Sequence, residues 1–574
     1  MTGTAFLTVN PGDVVEIWAR ARTGSHSSPS VSPLSISNQR QCFFSLAFPP
    51  PYFEHFRYEH LSKEPAELAW NPSLLEVSFA YRFSTAAVQD DGIVLLNFTE
   101  DGIEEYPRSR LAEWYSQEPG RPILRFSPLK NWMNDPNGLC RIGDKYHMFY
   151  QFHPNGTDWG PMHWGHAVST DLFDWLHLPV FSYPEQNLGA LGATGGAFSG
   201  NAFLDRDGLL SFYRTERLPA YDLFKNYNEV QKRVYPDEDL LSVERSEIVQ
   251  VEGAPGTGHD IRDPKVWFDE QAGLYRMILG SAVDGDPAIT LHSSTDGNQW
   301  TFTSILYRAP AFFREGGARC AECPDFFEID GKWVLIISFV GYTEAATGRH
   351  NILYALVGEF DDGIFTPASG ELQELDFGTD FYAMQSFFDG KEQLAFAWLF
   401  NWEVRKPAGS SYSGEMSLPR VLSVEAGRLV MRPHPNYERL RLSRIELTRE
   451  RVLSPDPTCA VELRVRGADL AGVRIIAVTR GGAEAVIREI CGGVEIQVPD
   501  DKERSIQYRS VPLQLRDLLI FLDRGVVEVF LNAGEVCGTR RSYLLNDVVE
   551  VRLEGKAGVV EAWNLRSAWE GSPN

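Results

Sequence analysis

The stretch Ile142-Gly143-Asp144-Lys145-Tyr146-His147-Met148-Phe149-Tyr150 reads as a tight glycine turn feeding a strand of apolar and aromatic residues, the pattern of a β-hairpin. The same phrase returns as DGLLSFY around Gly208, AGLYRMIL around Gly273, DGKWVLIISF around Gly331 and DGKEQLAFAW around Gly390, at spacings of 65, 65, 58 and 59 residues. Two further echoes support the repeat. Ser169-Thr170-Asp171 with Trp175, and Ser294-Thr295-Asp296 with Trp300, follow the first and third turns at similar offsets. A period of about 60 residues built from short strands, with little helical periodicity, fits four-stranded propeller blades, and five copies predict five blades over residues 121–430. The repeat alone leaves a run of ordinary β-sandwich sheets with coincident spacing as the alternative.

On both sides of the repeat the texture changes. After Pro433-His434-Pro435 come dense period-2 segments such as AVELRVRG, LLIFLDRGVVEVFLN and DVVEVRLEGKAGVVEAW, which predict an antiparallel β-sandwich over 431–574. Residues 1–120 contain further strand segments, among them DVVEIWARA, LEVSFAYRF and DGIVLLNF. They are interrupted by a Ser/Pro tract, Thr23 to Ser37, that reads as an exposed loop. The proline-bounded aromatic stretch Phe43 to Phe53 is too apolar for a loose tail. This region is therefore expected to be a β-rich accessory unit packed on the propeller or on a second copy of the chain, which makes a homo-oligomer an expected partner arrangement.

Composition excludes several function classes. The 574-residue chain carries 54 Lys+Arg against 78 Asp+Glu, a net charge of −24 that repels phosphate backbones and anionic membranes, so nucleic acid and membrane are not expected partners. Aromatic residues make up 12% of the chain, which suits β structure and suits stacking on sugar rings. No basic n-region or apolar h-region opens the sequence, which points to a cytoplasmic protein, with a processed secreted chain the alternative. No apolar run approaches the ~18 residues of a spanning helix. Seven scattered cysteines argue against a disulfide framework, and the lone Cys320-x-x-Cys323 lacks the second pair or histidines that zinc requires.

Counting back from the turn glycines, Asp135 lies eight residues before Gly143, Asp263 ten before Gly273, and Glu322 nine before Gly331. Three acids thus occupy nearly one structural position. The innermost strands of a propeller line its channel, so equivalent positions on different blades face one another across the axis. Carboxylates gathered there repel, which splits their proton affinities and keeps one protonated while another stays ionised, as glycoside hydrolysis requires. Each acid alone has a plainer reading: Asp135-Pro136-Asn137-Gly138 as a turn, Arg262-Asp263-Pro264 as a salt-bridged strand end, and Glu322-Cys323 as a strand terminus with a buried thiol. Their coincidence in register favours the site. Near the same offset, blades two and five place Ser199-Gly200-Asn201 and Asp380-Phe381-Tyr382, expected to complete the pocket.

The phrases Asn131-Trp132-Met133-Asn134-Asp135-Pro136-Asn137-Gly138, Arg262-Asp263-Pro264 and Glu322-Cys323-Pro324-Asp325 resemble the three signature motifs of glycoside hydrolase family 32, the invertases, inulinases, levanases and fructosyltransferases. Supporting stretches are similar too, including DFGTDFYAMQSF at 376–387, GEMSLPR at 414–420 and FLDRGVVEVFLNAGE at 521–535. The resemblance runs from about residue 121 to the C-terminus. It implies an all-β, five-bladed propeller joined to a β-sandwich. It also implies a retaining β-fructofuranosidase acting on sucrose or fructo-oligosaccharides, by hydrolysis and by transfer of fructose, with exo-acting levanase or inulinase as the variant within the family. In that scheme Asp135 resembles the nucleophile, Glu322 the acid/base and Asp263 the transition-state stabiliser. Asn134, Gln151, Trp159, Phe198, Ser199 and Arg262 would line the fructose subsite, with Cys323 and Tyr382 beside the acid. No metal and no cofactor are implied, only a small sugar as partner. Two departures bear on the rest of the substrate. Ala321 stands where relatives carry an aromatic residue, and Asn201 where many carry Ser; both are expected on the leaving-group side, with Ala321 opening room for an acceptor.

Overall fold

The computed structural model describes residues 5–23, 32–118, 120–219, 227–399, 406–499 and 506–570. Each repeated glycine turn joins the first two strands of a separate antiparallel sheet. The five inner strands are Asn131–Ile142, Gly196–Leu204, Thr257–Asp269, Ala321–Ile329 and Tyr382–Phe388, which begin blades I to V. All five turn glycines have positive φ, from 61° at Gly143 to 96° at Gly390, a conformation that costs glycine little. The two sequence echoes are one structural device. Trp175 Nε1 donates to Leu172 O and Trp300 Nε1 to Gly297 O, both at 3.0 Å, while Ser169 and Ser294 accept from the equivalent backbone N–H groups. The ring closes where Tyr412–Ser413, after the second strand of blade V, pairs in parallel with Asn131–Trp132 of blade I. Five-bladed closure, not a series of independent sandwiches, is what the repeat encodes.

The C-terminal part forms two facing sheets, of six and five strands, between Arg441 and Leu565, around a core that includes Leu463, Ile475, Ile487, Ile520 and Val551. Its junction with the propeller is charged and dry. Arg125 donates to Asp523 at 2.6 Å and pairs with Glu528, Arg420 reaches Glu528 at 2.9 Å, and Asp376 accepts from the Thr539 hydroxyl at 2.6 Å, all fully buried. Asp376, Arg420, Asp523 and Glu528 come from the supporting stretches of the sequence analysis, and these four residues lock the two domains together. Buried ion pairs of this kind hold only while each charge keeps its partners.

The N-terminal region is itself a sandwich, with a four-stranded sheet built from Ala5–Val9, Ala66–Trp70, Leu34–Ser37 and Cys42–Leu46. It faces a five-stranded one built from Glu54–Glu59, Asp13–Ala21, Leu75–Ser84, Val94–Thr99 and Gly102–Tyr106. The outer face of the second sheet, with Trp18, Phe79, Tyr81 and Phe83, packs against Phe152, Leu178 and Val180 of blade I, so the accessory unit sits on its own chain's propeller. Most of the Ser/Pro tract lies outside the described residues. Its end is a strand, Leu34–Ser37, with Leu34 and Ile36 fully buried, so the expectation of a loop fails there because alternate apolar side chains fill the sandwich core. Among the described residues no helix is long and apolar enough to cross a membrane, and no disulfide joins any of the seven cysteines.

Candidate active site

All five inner strands break their pairing at one level. Two residues bulge out opposite one between Met133 and Pro136, Ala197 and Gly200, Arg262 and Lys265, Glu322 and Asp325, and Tyr382 and Gln385. A bulge interrupts the alternation of side chains along a strand. That is how acids at three successive positions come to share one pocket: Glu322 just before its bulge, Asp263 as the first bulged residue, and Asp135 as the second. The offsets of nine, ten and eight residues combine this stagger with different lengths of strand and turn before the glycine, and do not mark one shared position. The first bulged residue takes positive φ in three blades, 58° at Asp263, 47° at Cys323 and 52° at Ala383. Strained backbone of this sort persists only where its surroundings enforce it.

The bulges line a cavity of about 310 Å³, whose wall includes Asn134, Asp135, Gln151, Trp159, Phe198, Ser199, Arg262, Asp263, Glu322 and Tyr382. The three acids, the expected fructose-subsite residues and Tyr382 are therefore in this wall, while Cys323 is buried behind it and bonded to Asp135. Trp159 and Phe198 meet edge to face, 6.2 Å between centroids. Trp132 Nε1 holds the Asn134 amide at 2.8 Å, and the Gln151 amide donates to Ala197 O at 2.8 Å, tying blade I to blade II.

The three carboxyls sit in different hydrogen-bonding environments. Asp135 Oδ2 accepts from the Ser199 hydroxyl at 2.7 Å and from the Cys323 thiol at 3.5 Å, so burial, which raises its proton affinity, is opposed by donors to the ionised form. Glu322 Oε1 accepts from the Tyr382 hydroxyl at 2.6 Å, and Arg262 lies 3.8 Å from Oε2. Its proton affinity is raised by burial, with Arg262 and Tyr382 working against that and the Asp135 charge adding to it. Asp263 accepts from Cys323 N–H at 2.8 Å. Burial, opposed by Arg262 and assisted by Glu322, brings its pKa up to about 7. The cluster as a whole thus keeps a proton near neutral pH, and its titration belongs to the group, not to one residue.

Sequence reading missed the electrostatic wall. Arg217 and Arg319 also line the cavity. Glu229, fully buried on the third strand of blade II, gathers Arg217 Nε at 2.9 Å, Arg262 Nε at 3.1 Å and Ile261 N–H at 2.9 Å, while Asp260 pairs with Arg262 and accepts from Tyr227 at 2.7 Å. No motif announces Glu229, because its partners lie on other strands. Three expectations are corrected. Ala321 is fully buried and packs among Ile278, Ile289 and Phe339 between blades III and IV, pointing away from the pocket, so it opens no acceptor space. Asn201 clamps the backbone of Val266, accepting from its N–H at 3.0 Å below the site. Asp380 accepts from Arg541 N–H at 2.7 Å at the sandwich junction.

Comparison with known proteins agrees with this geometry. Residues 125–433 match the family described as glycosyl hydrolases family 32 N-terminal domain, and residues 497–570 the family 32 C terminal. The chain is 32% identical over 465 residues to a sucrose-6-phosphate hydrolase of Escherichia coli, covering 76% of this chain and 92% of that protein. It is 35% identical over 350 residues to a levanase of Bacillus subtilis, covering 57% of this chain and 49% of the levanase. A family 32 structure from Bifidobacterium adolescentis superposes with TM-score 0.85 at 25% identity, covering 98% of this chain and all of the other, so its match includes the N-terminal sandwich. A Bombyx mori β-fructofuranosidase gives 0.67 at 27% identity, covering 80% of this chain and 98% of its own. With an all-β propeller and sandwich, three acids gathered at the bulges of the channel, and these matches over most of its length, the chain belongs to glycoside hydrolase family 32.

Proposed function

We propose that this enzyme removes terminal β-linked fructose from sucrose and short fructo-oligosaccharides with retention of configuration, Asp135 acting as nucleophile, Glu322 as acid/base and Asp263 as the carboxyl that holds the ring hydroxyls. What carries the reading is the different treatment of Asp135 and Glu322. Asp135 receives two side-chain donors, Ser199 and Cys323, that stabilise a carboxylate poised for attack. Glu322 lies on blade IV, where burial and the Asp135 charge, working against Arg262 and Tyr382, favour keeping a proton for the departing oxygen. In a retaining glycosidase the two roles alternate: the acid that protonates the leaving group then activates the water that opens the ester. Trp159 and Phe198 form apolar walls for the sugar ring, and Arg262, braced by Glu229 and Asp260, is positioned beside Glu322.

Leaving-group acidity separates the roles. Glu322→Gln should lose sucrose hydrolysis by a factor on the order of 10²–10⁴, the usual size of acid/base catalysis. It should still form the intermediate with an activated aryl fructoside and recover turnover with azide, which needs no base. Asp135→Asn should be inactive on both substrates. Near-wild-type sucrose hydrolysis by Glu322→Gln, or first release of product with inverted configuration, refutes the assignment. Relative rates on sucrose, sucrose 6-phosphate, 1-kestose, inulin and levan then fix the substrate preference.

A further inference from the structure

The N-terminal sandwich does more than cover blade I, because a second cavity, about 190 Å³, opens along the seam between them. One wall comes from the accessory domain, with Trp18, Phe53, Glu54 and His55; the other comes from the propeller, with Tyr183, Glu185 and Gln186. The aromatic faces are ordered. Trp18 and Tyr183 lie within 7° of parallel at 6.2 Å, and His55 is 4.4 Å from Trp18 and 4.8 Å from Tyr183. Beneath them the buried Glu16 accepts from Tyr81 at 2.8 Å and from Tyr183 and His55 at 2.9 Å, which holds the rings in place.

Several polar groups of this cavity are spoken for, and two fully buried ones are not. His163 Nδ1 is bonded to Pro161 O at 3.1 Å, the Asn187 side chain caps Ala190 N–H at 3.0 Å, and Glu185 pairs with Lys232. Trp18, only 1% exposed, has an indole N–H without a hydrogen-bond partner among the described residues, and so does the buried Gln186 Oε1. An unsatisfied buried donor and acceptor are costly unless something fills the site. Flat rings with one donor and one acceptor suit a ring bearing hydroxyls, and the Glu54 and Glu185 carboxylates disfavour an anion. The cavity also borders the active site, since Asn155 and Pro161 in its wall flank the loop that carries Trp159 of the catalytic pocket.

We infer that this seam is a second, non-catalytic binding site for a single neutral sugar ring, built jointly by the accessory domain and blade I. The choice of a sugar rests on the fructosidase reading above; the site itself rests on the cavity and its unpartnered groups. The ring is either a free sugar or a distal unit of an oligosaccharide whose fructose end occupies the catalytic pocket.

The test is a calorimetric titration of Asp135→Asn, which holds substrate unhydrolysed, with 1-kestose and separately with fructose. Either two binding events, reduced to one when Gln186→Ala or Trp18→Phe is added, or a single bridging event with 1-kestose that those substitutions weaken severalfold, is expected, with thermal melting used to show that each variant is folded. Binding of both ligands that neither added substitution changes in number of events or in affinity overturns the inference while leaving the catalytic reading intact. No binding at all overturns both. In the active enzyme the same two substitutions distinguish the sources. A severalfold loss of kcat/KM that grows with fructan length identifies a distal unit, and unchanged kinetics at every length with loss of the second fructose event identifies a free sugar.

Discussion

Replacing Tyr382 by Phe removes one hydroxyl and one hydrogen bond, the 2.6 Å contact to Glu322 Oε1, and leaves the ring packed where it is. The hydroxyl donates to the ionised carboxylate more strongly than to the neutral acid, so its loss raises the proton affinity of Glu322. A hydrogen bond to a charged group contributes about 1.5–3 kcal/mol. At 1.36 kcal/mol per pKa unit this corresponds to about 1–2 units, and partial replacement by water in an open pocket brings the expectation to about one. Activity needs Glu322 protonated for departure of the leaving group. The alkaline limb of kcat/KM, which reports loss of that proton in the free enzyme, should therefore move upward by about one unit, while the acid limb, governed by ionisation of Asp135, stays in place. The assay is sucrose hydrolysis between pH 4 and 9 at substrate well below KM, with an activated aryl fructoside as control, since its alkaline limb depends little on the acid. If the limb for sucrose stays put or moves downward in a folded Tyr382→Phe enzyme, Glu322 is not the proton donor that Tyr382 tunes.

Other consequences follow from the same geometry. Glu229→Gln removes a carboxylate that balances Arg262, leaving the guanidinium beside Glu322 to favour its ionised form; the alkaline limb should move down in pH, opposite to Tyr382→Phe, and an unmoved profile counts against the coupling. Arg125→Met strands Asp523 and weakens the support of Glu528 in a fully buried junction, so it should cost about 3–5 kcal/mol and lower the melting temperature without changing KM; an unshifted melting curve would show the propeller and sandwich junction to be unimportant for stability. Gly414→Ala would place a Cβ 2.1 Å from Met133 O at φ 96°, beside the strand that carries Asp135, and should sharply reduce soluble, active protein. Dialysis against a chelator should leave sucrose hydrolysis unchanged, since the proposed chemistry uses carboxyl groups alone; a loss restored by a divalent cation would contradict it.

The number of blades, the position of the turns and the identity of the three acids were all legible in the chain itself. A glycine turn followed by an apolar strand is a local signal, and five copies at nearly equal spacing leave little choice of ring size. The motif residues likewise announced most of the pocket, from Asn134 and Asp135 to Glu322. What they did not reveal is how acids at different offsets reach one point, because that depends on the bulges. A bulge is an agreement between two strands about register, and one strand's sequence does not display it. The same reason hid Glu229 and Arg217, whose value lies in contacts between strands, with each other within blade II and from Glu229 across to Arg262 of blade III, and misplaced Ala321, Asn201 and Asp380, each within three residues of a site residue yet turned toward a core, a neighbouring blade or the sandwich. It also explains why the supporting stretches did not announce a domain junction: Asp376, Arg420 and Glu528 are separated in sequence by tens of residues or more and meet only when the propeller closes and the sandwich docks. Chemistry was written in residue types at short range; direction and partnership were decided by long-range packing, which alone determines the neighbours of each side chain.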